Sequence, residues 1–121
     1  MVLLEAERLG FGASGRCGGL VGSGQRKDVL ETEEKFGPEG SRVLWRLAEE
    51  AKTEIRERVA RHSIDCDLQN GQLVAIHTRR YLGWAEELSR ALAERYDYPD
   101  SHAVDAEGVQ KAGGVRNDDH G

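Results

Sequence analysis

Cysteine is scarce in this chain, and the two present, Cys17 and Cys66, stand 49 residues apart. That spacing makes no CxxC and no Cys/His set of metal-ligand type, so a metal centre of that kind is excluded. Long apolar runs are missing as well. Nothing approaches the roughly 18 consecutive apolar residues of a membrane span, and no signal-peptide pattern opens the sequence. The expectation is a soluble, cytoplasmic chain. A basic stripe is also absent: 17 Lys and Arg stand against 22 Asp and Glu, for a formal charge of −5. Clusters such as Arg79-Arg80 are too short to attract a phosphate backbone, so nucleic acid is disfavoured as a partner. Hydrophobic residues make up 38% and charged residues 32%, a thin supply for a self-sufficient core. The 121 residues allow one modest domain but not two with separate cores. No internal repeat or low-complexity tract is present.

Glycine is what the sequence does have. Of 15 glycines, seven fall between Gly10 and Gly24, so this stretch has a conformational demand that the rest lacks. Just before it, Val2-Leu3-Leu4 reads as the end of a buried parallel strand, closed by Glu5. A parallel strand needs partners, usually an earlier strand and a crossover helix. A strand starting at residue 1 therefore suggests a chain truncated at its N-terminus.

Helical signals follow the glycines. Residues 26–36 suggest a short helix stopped at Gly37-Pro38, where glycine suits a helix end and proline the first turn of the next helix. Leu44, Leu47, Ala48, Ala51, Ile55 and Val59 then recur at helical spacing and predict an apolar face over about five turns. Glu54 with Arg58, and Glu57 with Arg61, place acid before base at i,i+4, each worth roughly 0.2–0.5 kcal/mol. Ile64-Asp65-Cys66-Asp67-Leu68 and Leu73-Val74-Ala75-Ile76 predict two strands, joined by the hairpin turn Asn70-Gly71. A second amphipathic helix is predicted at about 79–96, with Leu82, Ala85, Leu88, Leu92 and Tyr96 on one side. Beyond Pro99 the pattern weakens: Val104 reads as a lone strand residue, Asp105 as a cap, and 113–121 as a frayed end.

Gly10-Phe11-Gly12-Ala13-Ser14-Gly15 matches the G-x-G-x-x-G pattern of dinucleotide-binding loops, but its surroundings do not. That fingerprint requires a strand ending at the first glycine and a helix beginning inside the motif. Here charged residues 5–8 separate strand from glycine, and Gly18, Gly19, Gly22 and Gly24 oppose a helix. Two readings remain. Residues 10–25 form a plain surface loop, or they carry the backbone close to a flat or charged ligand, with Ser14 and Arg16 as donors. The interspersed Leu20 and Val21 favour the second. Glu5, at the tip of the strand, could accept hydrogen bonds from a ribose diol.

Other candidates favour plainer roles. His62 suits the C-terminal end of the long helix. His77, His102 and His120 have no partners at metal or triad spacing. Asp65 and Asp67 share one strand face but read as its solvent side. Trp45 and Trp84 read as packing residues, and Cys17, beside Arg16, as an inert thiol.

The segment Val2-Leu3-Leu4-Glu5-Ala6-Glu7-Arg8-Leu9-Gly10-Phe11-Gly12-Ala13-Ser14-Gly15-Arg16, followed by Gly18-Gly19, resembles the FAD-dependent oxidoreductases of the D-amino-acid oxidase superfamily. Within that superfamily it most resembles the gamma-glutamylputrescine oxidoreductase group. The likeness runs on through Gly22-Ser23-Gly24-Gln25-Arg26-Lys27-Asp28, Leu44-Trp45, Leu47-Ala48-Glu49-Glu50-Ala51, His62 and Ile64-Asp65-Cys66-Asp67-Leu68, covering roughly residues 2–100. It implies an α/β chain: a partial Rossmann-type FAD-binding fold (second strand and glycine loop), then helices and a β-hairpin from the start of the substrate domain. Residues 1–62 would be the partial FAD-binding domain and 63–121 the beginning of the substrate domain. By resemblance, Glu5 binds the adenosine ribose of FAD. Ser14, Gly15 and Arg16 lie beside the cofactor, and Gly18 and Gly19 let the chain pass close to the flavin. Cys17 stands where the family usually has Asn, and a thiol is the poorer hydrogen-bonding group. The implied reaction oxidises a small-molecule amine, gamma-glutamylputrescine-like or amino-acid-like, by hydride transfer to flavin. Without the true glycine fingerprint and the later parts of both domains, the chain alone is expected to be inactive. The alternative from the residues themselves is a non-enzymatic helical interaction module, using the apolar face within 41–61.

Overall fold

The computed structural model describes residues 2, 4–76, 78–104 and 108. Its scaffold is two helices, α1 (Val29–Arg61) and α2 (Leu82–Arg95), with short 3-10 turns at Ala13–Arg16 and Arg79–Tyr81. Asp28 starts α1. Its Oδ1 accepts the Glu31 N–H at 2.9 Å, which satisfies one of the free donors of a first helical turn. Its Oδ2 accepts the Trp84 indole N–H at 2.8 Å. One carboxylate thus caps α1 and ties it to α2.

Gly37 breaks α1 into two segments. Its φ of 72° and ψ of 166° are not helical, a backbone state that costs glycine little. Pro38 opens the second segment, as expected from Gly37-Pro38. Across the break, the Thr32 and Ser41 hydroxyls meet at 2.6 Å, both buried. The long segment ends at His62, whose backbone N–H bonds the Arg58 carbonyl. The expected pairs of Arg58 with Glu54 (2.5 Å) and Arg61 with Glu57 (3.8 Å) line its surface.

The core is small: Val29, Trp45, Ala91, Leu92 and Tyr96 are buried, with Leu30, Leu88 and Tyr98 packed against them. Trp45 is its centre. The Tyr96 and Tyr98 rings approach it at centroid distances of 5.5 and 5.3 Å, tilted and edge-on, the geometry that aromatic quadrupoles favour. Asp97 lies between them in the left-handed region (φ 52°), turning the chain at the end of α2 so that both rings reach Trp45. The Tyr96 hydroxyl sits 2.8 Å from Glu33 Oε1 and 2.6 Å from Ser41 Oγ. Arg95 pairs with the same Glu33 carboxylate.

Several expectations are corrected. No strand or sheet occurs among the described residues, so the Rossmann-type α/β arrangement and the β-hairpin are not seen. Val2 and Leu4 are 84% and 88% exposed, because no neighbouring strand lies alongside to hydrogen-bond them; Leu3 is outside the described residues. The hairpin fails at two points. A type I′ turn needs positive φ at both central residues, and only Gly71 (φ 96°) supplies it, not Asn70. Ser63 and Asp67 also take left-handed φ, which interrupts the run 64–68. A lone two-stranded ribbon is marginal in water in any case. The second helix begins at Leu82 rather than about 79, the first at Val29 rather than 26. The apolar face of α1 is only partly used: Leu44 and Ala48 are half-buried, but Leu47 and Ile55 are exposed. With 14 residues against the 33 of α1, α2 cannot cover the whole stripe. His77, Asp105, His120 and residues 113–121 lie outside the described residues.

Burial raises the Tyr96 pKa above the ordinary tyrosine value, and Glu33 adds to the rise against the Ser41 hydroxyl and Arg95. The folded state then holds this proton more tightly than the unfolded chain. Its stabilisation is complete below the unfolded value of about 10 and is lost as pH rises through the folded one. Urea unfolding should therefore show stability falling above about pH 10. Tyr96→Phe should make that fall shallower while costing about 1–3 kcal/mol at neutral pH, from the groups left unpaired. An equally steep alkaline fall in the variant contradicts this assignment.

Candidate functional site

The glycine-rich segment folds as two parts with different character. Gly10 takes φ of +74°, and the Phe11 N–H bonds back to the Arg8 carbonyl at 3.0 Å. The chain then winds through the 3-10 turn Ala13–Arg16. Gly15 closes this turn against Gly10. A Cβ built on Gly15 would lie 1.9 Å from the Gly10 carbonyl oxygen, a separation no side chain tolerates. Arg16 places its guanidinium 5.9 Å from the centre of the Phe11 ring, within cation–π range. Ser14, Gly15 and Arg16 are thus brought together on one knot of chain, with Phe11 beside them.

After Cys17 the chain extends. Gly18 and Gly19 follow, Gly19 with φ of +73°, and a Cβ on either would meet nothing within 4 Å. The close approach is to neighbouring backbone at Gly15 and to open space at Gly18 and Gly19. The whole stretch 10–22 is exposed, including Phe11, Leu20 and Val21. Backbone without side chains is therefore displayed together with three apolar groups, a hydroxyl and a guanidinium. Glu5 is exposed also. Its Oε1 accepts the Glu7 N–H at 3.0 Å, not a donor from residues 14–19.

The other candidates form no site. Cys17 and Cys66 are free and exposed. Asp67 accepts a hydrogen bond from Gln69 Nε2 at 2.6 Å, on an exposed coil rather than a strand face. Among the described residues, no group of three His, Cys, Asp or Glu side chains could hold a metal, and no helix is long and apolar enough to cross a membrane. A shallow groove runs beside Trp45 and Tyr96 past Arg42, Arg46 and Arg95. Each of those cations already has a carboxylate, Glu39, Glu50 and Glu33 in turn, so its arginines offer no spare positive charge.

Sequence reasoning did not single out Phe11 or Ser23. Phe11 is exposed beneath Arg16, and only its position inside the glycine pattern could have marked it. Ser23 joins residues far apart in sequence, so no local spacing signals it.

The loop thus displays open glycine backbone beside a helical support. Residues 1–120 match the family model described as FAD dependent oxidoreductase. The chain is 35% identical over 111 residues to gamma-glutamylputrescine oxidoreductase of Escherichia coli (strain K12), covering 92% of this chain and 26% of that protein. It is 39% identical over 111 residues to the probable oxidoreductase OrdL of Rhizobium meliloti (strain 1021), covering 88% and 25%. No solved structure matches. This chain belongs to the FAD-dependent oxidoreductase family, whose cofactor is FAD, and it spans about a quarter of the length of these relatives.

The exposed donor set fits such a cofactor. An exposed carboxylate such as Glu5 would suit a ribose diol, and open glycine backbone would suit a flat ring or a phosphate approaching closely. Gly15→Ala should break the turn at Ala13–Arg16, whereas Gly18→Ala should leave the apo chain unchanged. Amide chemical shifts of residues 10–16 should move in the first variant only. Comparable shifts in both, or in neither, contradict the loop geometry.

Proposed function

We propose that this chain supplies one wall of the cofactor site in an FAD-dependent oxidoreductase acting on an amine. The observation that carries the reading is the exposed glycine stretch, open at Gly18 and Gly19, inside a segment matched throughout by the family. In this reading Glu5 accepts hydrogen bonds from the adenosine ribose. Ser14 and Arg16 donate to polar atoms of the cofactor from the knot that Gly15 closes, and Gly18 and Gly19 let the backbone lie against the flavin. Phe11, Leu20 and Val21 exclude water along the same edge. Residues 1–62 belong to the FAD-binding portion and 63–121 begin the substrate domain. When bound, FAD supplies the two-electron acceptor for the carbon bearing the amine nitrogen. The protein's part is to bind, orient and keep that place dry.

The substrate class is a small molecule with a primary or secondary amine, gamma-glutamylputrescine-like or amino-acid-like. It is supported by the likeness to the Escherichia coli protein named for that amine. A cytoplasmic location goes with this substrate class. The second reading, a helical interaction module, draws on the exposed Leu47 and Ile55 of α1. In a protein of the relatives' length the same stripe has further chain to pack against, so the oxidoreductase reading accounts for it without a separate partner.

A chimera tests the proposal. This chain replaces the matched 111-residue segment of the Escherichia coli relative. The chimera should purify with flavin whose absorbance bleaches on adding amine, and Glu5→Gln in it should weaken FAD binding about tenfold or more, as for a lost hydrogen bond to a charged group. A folded chimera without flavin, or unchanged affinity in Glu5→Gln, counts against the reading. The isolated chain should show little or no FAD binding by fluorescence quenching; saturable micromolar binding with amine-dependent bleaching would overturn that expectation.

A further inference from the structure

The glycine segment changes from free to held at Ser23. Residues 11–22 are exposed, whereas Ser23 and Gly24 are half-buried. Ser23 Oγ donates to the Tyr98 hydroxyl at 3.1 Å and accepts from Lys52 Nζ at 2.6 Å. Those partners lie on the turn after α2 and on the long segment of α1, respectively. The next residue, Gly24, has φ of +76° and packs so closely on Trp45 that a Cβ would stand 3.0 Å from the indole. Gln25 then donates from Nε2 to the Leu44 carbonyl at 3.0 Å. Three successive residues of the loop exit are therefore fixed to the helical pair.

Lys52 is the centre of this attachment. Its side chain is only 13% exposed, an unusual position for an ammonium group unless its charge is met. Its surroundings meet it on three sides. Nζ bonds Ser23 Oγ, lies 2.8 Å from Glu49 Oε2, and sits 5.2 Å from the centre of the Tyr98 ring. Glu49 alone would have served as a partner on the helix. The additional reach to Ser23, 29 residues earlier, serves the loop.

We infer that Lys52 is a positioning residue for the cofactor loop: through Ser23 it fixes the direction in which residues 14–19 leave the helical pair. The cofactor side of this inference rests on the proposal that Gly18 and Gly19 lie along FAD. The attachment itself stands on the hydrogen bonds alone.

The loop's own thiol provides the probe. With Cys66→Ser, a spin label on Cys17 and a second on Glu87→Cys, an exposed position of α2, report the loop-to-helix distance in the 121-residue chain. The distribution should be narrow in the parent and clearly broader in Ser23→Ala, whose helical melting transition stays in place because the Lys52 to Glu49 pair is kept. Lys52→Met combined with Glu49→Gln, which avoids a stranded buried carboxylate, should broaden it likewise, and Lys52→Arg should restore the narrow form. An unchanged distribution in Ser23→Ala, or broadening only in variants whose helices also melt early, overturns the inference. In the chimera described above, Ser23→Ala should weaken FAD binding about tenfold. Broadening with unchanged FAD affinity overturns the cofactor side. A parent chimera without flavin sinks the proposed function instead, while the distance measurement still decides the attachment.

Discussion

Trp45 is where the tyrosine rings from the turn after α2 and the backbone of the glycine segment meet α1. Two tyrosine rings from the end of α2 close on its faces and edges, and the backbone of Gly24 lies against it from the glycine segment. With so few buried apolar residues, the hydrophobic term here is small, and Trp45 is the largest side chain in it. The left-handed Asp97 is a local cost at the turn that brings both rings to Trp45, whereas the positive φ at position 24 costs glycine little.

Around that apolar contact the polar groups are arranged in two sets. Thr32, Ser41, Tyr96 and Glu33 join the two segments of α1 to the end of α2. Lys52, Ser23, Tyr98 and Glu49 join α1 to the loop. Such groups are costly to bury unless satisfied, and paired ones specify one arrangement; in the second set Glu49 Oε2 meets Lys52, while its Oε1 is buried without a hydrogen-bond partner. The surface ion pairs of α1, by contrast, contribute little each. The result is a firm helical support from which a flexible-looking composition emerges with a defined direction. In the proposed reading, the exposed backbone at Gly18 and Gly19 is presented to the cofactor from this support.

Much of this was legible from residue order where the cause is local. Gly37-Pro38 marked the break in α1 because both residues act on their own backbone. The Glu54 to Arg58 pairing needs only helical spacing. The glycine density between 10 and 24 marked an exposed loop, and the G-x-G-x-x-G stretch opens no α-helix, since Gly15 closes a 3-10 turn against Gly10. The predicted strands are absent among the described residues, because an apolar run or alternation specifies a face and not a partner. Neither Val2 and Leu4 nor 64–76 finds one among the described residues. The apolar stripe misled in the same way: Leu47 and Ile55 have the right spacing, but α2 reaches Trp45 and Ser41 instead. Ser23 and Lys52 carry no local signal, since their meaning lies in contacts 75 and 29 residues away.

Removing the indole tests the account most directly. Trp45→Ala should cost about 3–5 kcal/mol, a large part of what so small a core can supply. Hydrogen exchange should then lose protection throughout α2 and the first segment of α1 together. Protection of α2 amides at the parent level in Trp45→Ala would contradict the claim that this contact holds the helical pair and the loop exit.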